Sequence, residues 1–513
     1  MLTDRSPAGP MVDEDPKAND GNNSPAPHGQ TTQKWWTDEE ERRVKRKLDL
    51  NVLPLMFILY MLSSLDRSNI GNAKAKMVPD LGLSDSQFQW LLTIFFIAYL
   101  LFQSGMILYA IIPPRVFVAT CVFTWGLAST LQGTAQSWSG MMAARFFMGV
   151  AESCWGTGAA WYYTTLFPRR EIGFRFAVFI CGSAVASAFS GALAYGLLQA
   201  KSAIAPWRLL FIIEGIPTLL MAPVTYYLLP NSLSTARFLN DRERKIALAR
   251  LLMQEGETVA DLGPDDVDKA AQDESNLKAP LPEKRALEDL KARFDPRAGL
   301  EAFKEPLPYI TAVLYFLLNT SYSSLPVYLP TILQGLGYNS IDAQGYSAPP
   351  YVCAFVVALG SAFAALAAAG YMVLGTSTSD HARYGACFMV AIGLFSFITL
   401  VLYWLLSNQT GKSKRGVALS ILGTVGQGGT LLGTRLFPAK EGPRYQKGFF
   451  VCGSLLFFAV ALIFVTLSVM FLSNRRRERL RPLGKNLTEE EMRERDRDVA
   501  LNGSKSVYFR WTL

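Results

Sequence analysis

The sequence predicts an all-α protein that crosses a lipid bilayer many times, built as two helix bundles joined by a charged linker. Three observations predict it. Half of the 513 residues are hydrophobic and 18% are charged, against roughly 25% charged in soluble domains. The charge gathers in residues 1–50, 231–305 and 474–500. Between those segments run apolar stretches that reach the roughly 20 residues a helix needs to cross the hydrocarbon core. This distribution excludes a soluble globular enzyme, a disordered chain and a basic nucleic-acid-binding arm. The expected partner is the lipid bilayer, not nucleic acid.

The elements follow in chain order. Residues 1–33 are polar and lack an apolar signal core, so a disordered tail without a cleavable signal peptide is expected. The tail extends through residues 1–47 and ends in Arg42, Arg43, Lys45, Arg46 and Lys47. Residues 48–230 form the first bundle, with spans at about 50–66, 87–110, 114–134, 140–166, 176–198 and 207–229. The linker, 231–305, carries Asp241-Arg242-Glu243-Arg244-Lys245 and an amphipathic stretch at 283–293, so it is expected to be partly helical. Residues 306–473 form the second bundle, with spans at about 306–335, 349–376, 383–406, 415–437 and 448–473. A tail at 474–513 opens with Arg475, Arg476, Arg477 and Arg479.

Basic flanks report orientation, because cytoplasmic loops carry the Lys/Arg excess. The Arg42–Lys47 cluster places the first terminus in the cytoplasm, and Pro168-Arg169-Arg170 and the linker then fall inside. The Lys412, Lys414, Arg415 loop and the Arg475–Arg479 cluster also ask to be inside, which needs an even number of spans. The count is eleven. The conflict localises to 349–376, where 28 residues would make a helix of ~42 Å, enough for one tilted span and too short for two. The expectation is that the second bundle is incomplete around 350–376 and lacks one span or hairpin, a segment of roughly 20–30 residues carrying a cytoplasmic turn and parts of two helices. Two origins stand open: a deletion introduced at gene prediction or splicing near 355–370, and a true eleven-span chain.

The six cysteines, Cys121, Cys154, Cys181, Cys353, Cys387 and Cys452, all lie in apolar segments without a C-x-x-C pair. They read as small packing residues, not as disulfide or zinc ligands. With His28 and His381 the only histidines, no histidine-ligated metal, no Ser-His-Asp chemistry and no cofactor are expected, and any proton carrier is a carboxylate. Gly411-Lys412-Ser413 lacks the earlier glycine and the preceding strand of a phosphate loop, and the glycines of 423–433 lack dinucleotide-binding spacing. Those glycines, like the small-xxx-small pattern of Gly182, Ser183, Ala186, Ser187 and Gly191, mark either close helix packing or a broken helix beside a substrate.

Ionisable residues inside spans are costly and mark function. Arg145 and Glu152 lie seven apart in the fourth span, on one helical face. Such a guanidinium can hold an anion bidentately and the carboxylate can carry a proton, although the two could equally serve as structural ion-pair partners between helices. Asp66 and Arg67 close the first span, with snorkelling at a helix end as the plain alternative, and are followed by Ser68-Asn69-Ile70-Gly71. Glu214 is expected to pair with another helix. Asn319, Tyr322, Gln427 and Arg435 offer polar groups in the second bundle, as packing partners singly and as a polar cavity together.

Leu48-Asp49-Leu50-Asn51-Val52-Leu53-Pro54-Leu55 and Leu65-Asp66-Arg67-Ser68-Asn69-Ile70-Gly71-Asn72-Ala73 together resemble the allantoate permease family of fungal anion–cation symporters, within the major facilitator superfamily. The likeness continues through Arg145–Glu152, Trp207–Gly215, Tyr322–Pro326, Ala343–Tyr351 and Gly433–Pro438, and covers roughly residues 34–483. The resemblance implies the major facilitator fold, two pseudo-symmetric six-helix bundles with alternating access. It also implies uptake of a small organic anion or vitamin-like carboxylate with protons; nicotinate, allantoate, pantothenate and biotin are substrates of the family. Arg145 and Glu152 fall on the family's fourth-span pair, so the anion and proton roles come to them. Asp66 is expected as a second proton-coupling group, Asn319, Tyr322, Gln427 and Arg435 as further substrate contacts, and Arg67, Asn69, Glu214 and Arg115 as structural or gating residues. The chain departs from the family at the turn Tyr109–Arg115, which keeps little of the usual basic gating turn, and at the missing turn of the second bundle.

The expected function is therefore proton-coupled import of an organic anion by a monomeric, multi-pass protein with both termini cytoplasmic, in the plasma membrane rather than an internal one. A non-transporting nutrient receptor or an inactive paralogue is the alternative.

Overall fold

The structure is a computed structural model and describes residues 35–197, 199, 202–252, 300–358, 364–409, 412–480, 506, 509 and 511. The tail at 1–33, the amphipathic stretch at 283–293 and residues 481–505 lie outside the described residues. All of the described regular structure is helical. The first half comprises α1 (Asp38–Asp80), α2 (Asp85–Phe102), α3 (Pro114–Gln132), α4 (Trp138–Leu166), α5 (Arg169–Leu197) and α6 (Pro206–Leu228), and the linker contributes α7 (Asp241–Leu252). The second half comprises α8 (Pro306–Tyr322), α9 (Ser324–Gln334), α10 (Ser340–Ala358), α11 (Ala364–Thr376), α12 (Asp380–Asn408), α13 (Lys412–Gly433) and α14 (Gln446–Leu480). Eight of the helices among the described residues are long and apolar enough to cross a bilayer on composition alone. The last, α14, turns Phe458, Phe464, Val465 and Leu472 outward.

Local chemistry sets the helix boundaries. Thr37 and Glu40 form a reciprocal capping box at the start of α1, and Ser84 with Gln87 does the same for α2. Pro114, Pro206 and Pro306 each occupy the first helical turn, where the missing N–H costs nothing. The α8–α9 break at Ser323 lies just before Pro326, which cannot donate to the carbonyl of Tyr322 four residues back.

Pairing of the helices reveals the repeat. In the first half α1 packs on α5, α2 on α4, and α3 on α4 and α6; in the second α8 packs on α13, α10 on α12, and α11 on α12 and α14. The halves meet along α5–α10, α5–α12, α2–α13 and α1–α9. This correspondence bears on the incomplete region expected over 350–376. The described residues of this region form two helices, α10, which begins nine residues before 349 at Ser340, and α11. Both helices are short, at 19 and 13 residues, or about 28 and 20 Å. Lys414 pairs with Glu301 at 2.9 Å and Glu305 at 3.6 Å, at the linker end of α8.

The first span also differs from its expected bounds. Helix α1 runs on for fourteen residues past Asp66, since Ser68, Asn69, Asn72 and Ala73 are small or amide-bearing and pack at 0–6% exposure. Asp66 and Arg67 therefore lie in mid-helix, not at a snorkelling end. A Cβ on Gly71 would come 2.7 Å from the Val327 carbonyl oxygen, so the α1–α9 seam depends on that glycine. In α13 the glycines serve packing: the helix is unbroken, and a Cβ on Gly429 would lie 2.9 Å from the Phe316 carbonyl carbon of α8.

The linker helix is fastened to the first half. Arg250 on α7 is 5% exposed and reaches Glu41 at 3.1 Å and Glu171 at 2.6 Å, while Lys45 meets Glu171 at 2.5 Å and Lys47 meets Glu243 at 2.8 Å. Partial burial pushes the Glu243 carboxyl up, but hydrogen bonds from Lys47 and the Asn240 backbone outweigh it and hold the group below the usual range. That contribution is present above the ordinary glutamate range and is lost as pH falls through the lowered value. Arg250→Ala leaves Glu41 and Glu171 short of a cation, at a cost of about 3 kcal/mol for a largely buried pair. We expect tryptic cleavage at Arg242, Arg244 and Lys245 in the membrane-embedded protein to accelerate on the order of 100-fold.

Candidate functional site

A cavity lies between the halves, lined by both. From the first half come Tyr60, Ser64 and Arg67 of α1, Phe95, Phe96 and Tyr99 of α2, Arg145 of α4 and Ser183 of α5; Tyr315, Asn319, Tyr322, Gln427 and Thr430 face them from the second. Every lining cation belongs to the first half, and the second half contributes neutral polar groups and rings.

Helix α1 brings Arg67 to the wall. Its Nη2 donates to Glu152 Oε2 at 2.6 Å and its Nε to the same oxygen at 3.2 Å, and Ser63 Oγ donates to it at 3.0 Å. The guanidinium lies 5.4 Å from the centroids of both Phe95 and Tyr99, which holds it in a cation–π cradle. Glu152 is fully buried and its Oε1 has no partner among the described residues. Its ion partner is thus Arg67 on a neighbouring helix, not Arg145 two turns earlier on its own.

Arg145 lines the cavity at 1% exposure, with its guanidinium carbon 5.9 Å from the Phe211 ring and, among the described residues, no partner for Nε or Nη2. Buried cations are ordinarily paired, and this one makes no ion pair among the described residues. Across the cavity, Tyr322 Oη and Ser183 Oγ share a 2.5 Å hydrogen bond that joins the halves, and Asn319 Nδ2 donates to the Gly426 carbonyl at 3.2 Å.

The remaining expected site residues lie elsewhere. Asp66 is fully buried and turned from the cavity, accepting from Ser129 at 2.6 Å and Thr218 at 3.1 Å. Glu214 is 2% exposed and makes no ion pair among the described residues, so the expected interhelical partner is not found. Asn69 is fully buried. Arg115 sits at the α2–α3 turn, its backbone N–H on Asn231 Oδ1 at 3.2 Å and its guanidinium 5.3 Å from the Tyr226 ring. Arg435 is outside the cavity: it follows α13 at the opposite end of the halves' seam, donates to Gln89 Oε1 at 3.2 Å and lies 5.1 Å from the Trp90 ring. Lys74 of α1 makes the reciprocal contact, 5.9 Å from the Tyr328 ring of α9. These two cation–π contacts close the end of the seam remote from the linker, so Arg435 holds the halves together there.

The sequence reading missed Tyr60, Phe95, Tyr99, Ser183 and Tyr315. Tyrosine hydroxyls within spans were the available signal, since such a group needs a polar neighbour; the phenylalanines carried none.

Comparison with known proteins agrees with this architecture. The Major Facilitator Superfamily profile matches residues 56–434. MFS transporter prlL of Fungal sp. (strain NRRL 50135) is 31% identical, over 87% of this chain and 89% of its own. The high-affinity nicotinic acid transporter of Saccharomyces cerevisiae is 27% identical, over 86% of this chain and 79% of its own. The proton:xylose symporter XylE, solved with 6-bromo-6-deoxy-D-glucose, superposes with a TM-score of 0.60 at 15% identity, covering 81% of this chain and 95% of that one. The chain is a multi-pass membrane transporter that belongs to the Major Facilitator Superfamily.

Proposed function

We propose that the chain imports a small organic anion together with a proton. The observation that carries this reading is the Arg67–Glu152 pair in the wall of a cavity that also holds the unpaired Arg145. A substrate carboxylate and Glu152 compete for Arg67. Protonation of Glu152 releases Arg67 to the anion, so proton and anion bind together, and the paired resting state holds neither. The rings of Tyr60, Phe95, Tyr99 and Tyr322 suit a flat, apolar body on the anion, and Asn319 and Gln427 suit a polar group at its far end. The likeness to a nicotinic acid transporter supports a carboxylate of this kind. Both termini lie in the cytoplasm, on the face bearing the Arg42–Lys47, Lys414 and Arg475–Arg479 clusters, and the protein works as a monomer in the plasma membrane.

The short α10 and α11 favour a second reading. The 13 described residues of α11 fall short of the roughly 17–25 of a spanning helix, as a deletion near 355–370 would leave them, and a receptor or inactive paralogue needs no alternating access. Reconstituted full-length protein distinguishes the two. Under an inward acid gradient, proteoliposomes are expected to accumulate labelled nicotinate or a competing carboxylate above equilibrium, and collapse of the gradient ends the accumulation. Saturable binding without accumulation favours the receptor. Accumulation indifferent to the gradient removes the proton from the mechanism.

A further inference from the structure

Three helices of the first half close a circuit around Arg67. From α1 the guanidinium reaches Glu152 on α4, with Nη2 at 2.6 Å and Nε at 3.2 Å from Oε2. Its carbon lies 5.4 Å from the centroid of the Tyr99 ring of α2. Tyr99 in turn runs back to α4: a Cβ on Gly156 would lie 2.5 Å from Tyr99 Oη, with Cζ the next atom at 3.8 Å. Gly156 stands four residues beyond Glu152, so one face of α4 both accepts from the cation and seats the ring beside it. Gly156, Tyr99 and Arg67 all line the cavity.

The seat has room for glycine and nothing larger. Carbon needs roughly 3.5 Å or so from a non-bonded neighbour, and a methyl group 2.5 Å from the Tyr99 oxygen would displace it. Separation of α2 from α4 would relieve the clash only by opening a packed contact. The two backbones already touch near Phe95, where a Cβ on Gly149 would lie 3.2 Å from the Phe95 carbonyl carbon. The Tyr99 side chain therefore gives way first, and it is the one on which Arg67 rests.

We propose that Gly156 and Tyr99 are positioning residues for substrate binding: the glycine seats the Tyr99 ring, and the ring holds the Arg67 guanidinium in the cavity wall where an anion meets it. Glu152 cannot serve alone, because Arg67 leaves that pair to receive a substrate carboxylate. The ring contact uses the flat face of the guanidinium and leaves its N–H edge to the anion, so it persists through the exchange. The proposal rests on the reading of Arg67 as an anion-binding group. Gly156, Tyr99, Arg67 and Glu152 all belong to the first half, so movement of the halves against each other leaves the circuit intact. The contribution therefore falls on KM and not on kcat.

A double-mutant cycle on full-length protein in proteoliposomes, with labelled nicotinate at one fixed pH, tests this. Gly156→Ala is expected to raise KM about tenfold, the range of one desolvated cation–π contact, with kcat less affected. In the Tyr99→Phe background the same substitution is expected to add little, since without the hydroxyl the nearest ring atom is Cζ at 3.8 Å, an ordinary contact. Tyr99→Leu removes the ring and is expected to raise KM by a similar factor, but to add little in the Arg67→Gln background, because the ring acts through that cation. An equal penalty for Gly156→Ala with and without the hydroxyl overturns the seat, and an equal penalty for Tyr99→Leu with and without Arg67 overturns the positioning role. Thermal unfolding in detergent covers a Gly156→Ala chain too unstable to transport: Tyr99→Phe is expected to restore its melting temperature, and failure to do so also overturns the seat. Arg67→Gln alone separates the proposal from the reading beneath it. An undiminished nicotinate affinity in that variant sinks Arg67 as the anion group, whereas a raised KM there without coupling between positions 99 and 156 removes only Gly156 and Tyr99.

Discussion

Arg145→Ala is expected to reduce carboxylate uptake on the order of 100-fold, because a desolvated, charge-assisted contact to an anion is worth about 2–5 kcal/mol. The effect should fall on KM, since the guanidinium meets the substrate before any movement of the halves. The variant is expected to fold: Arg145 makes no ion pair among the described residues, so its removal strands no carboxylate partner, and thermal unfolding in detergent should change little. Arg145→Lys should recover only part of the uptake, because an ammonium cannot form the two-pronged contact. Arg67→Ala supplies the contrast. It leaves Glu152, fully buried, without its cation, and so is expected to lower stability as well as uptake. If Arg145→Ala transports as the wild type does, the anion is held elsewhere and Arg67 alone must be the receptor cation.

What the sequence disclosed, and where it stopped, follows from the range of the physics involved. Arg145 and Glu152 were legible because a charge in an apolar span is expensive wherever it points, and their spacing puts them on one face. Their pairing was not legible, because the partner of Glu152 comes from α1, and helix contacts across a bundle leave no trace in spacing. Arg67 was read as a gating group for a related reason. The amide and small residues after it resemble an exit from the membrane by hydropathy, yet they are well suited to close packing, and α1 continues through them to Asp80. Arg435 was drawn into the substrate set by its neighbourhood to the polar face of α13; the helix ends at Gly433, and two residues further on the side chain has turned to Trp90 across the seam. The run 349–376 shows the opposite failure. Its charge-free composition reads as one helix, and only the repeated pairing of helices in the two halves separates α10 from α11.

Glu152→Gln is expected to remove the pH dependence of uptake. In the wild type Glu152 binds Arg67 through two contacts to one oxygen, and a proton on the carboxyl weakens that pair and frees the guanidinium. Acidification therefore raises anion affinity in the wild type, and a proton gradient directed inward drives accumulation. Glutamine keeps the shape and can still accept from Ser63 and Arg67, but it carries no charge, so Arg67 is permanently available. The expected result is a variant that binds nicotinate or its competitor at neutral pH as tightly as the wild type does in acid. It should exchange substrate across the membrane but no longer accumulate it against a gradient, since return of the empty carrier no longer requires loss of a proton. Counterflow and gradient-driven uptake, measured on the same proteoliposomes, separate these activities. Retained pH-driven accumulation in Glu152→Gln would move the coupling proton away from Glu152, and Asp66 and Glu214, both buried behind the same wall, would be the next groups to replace.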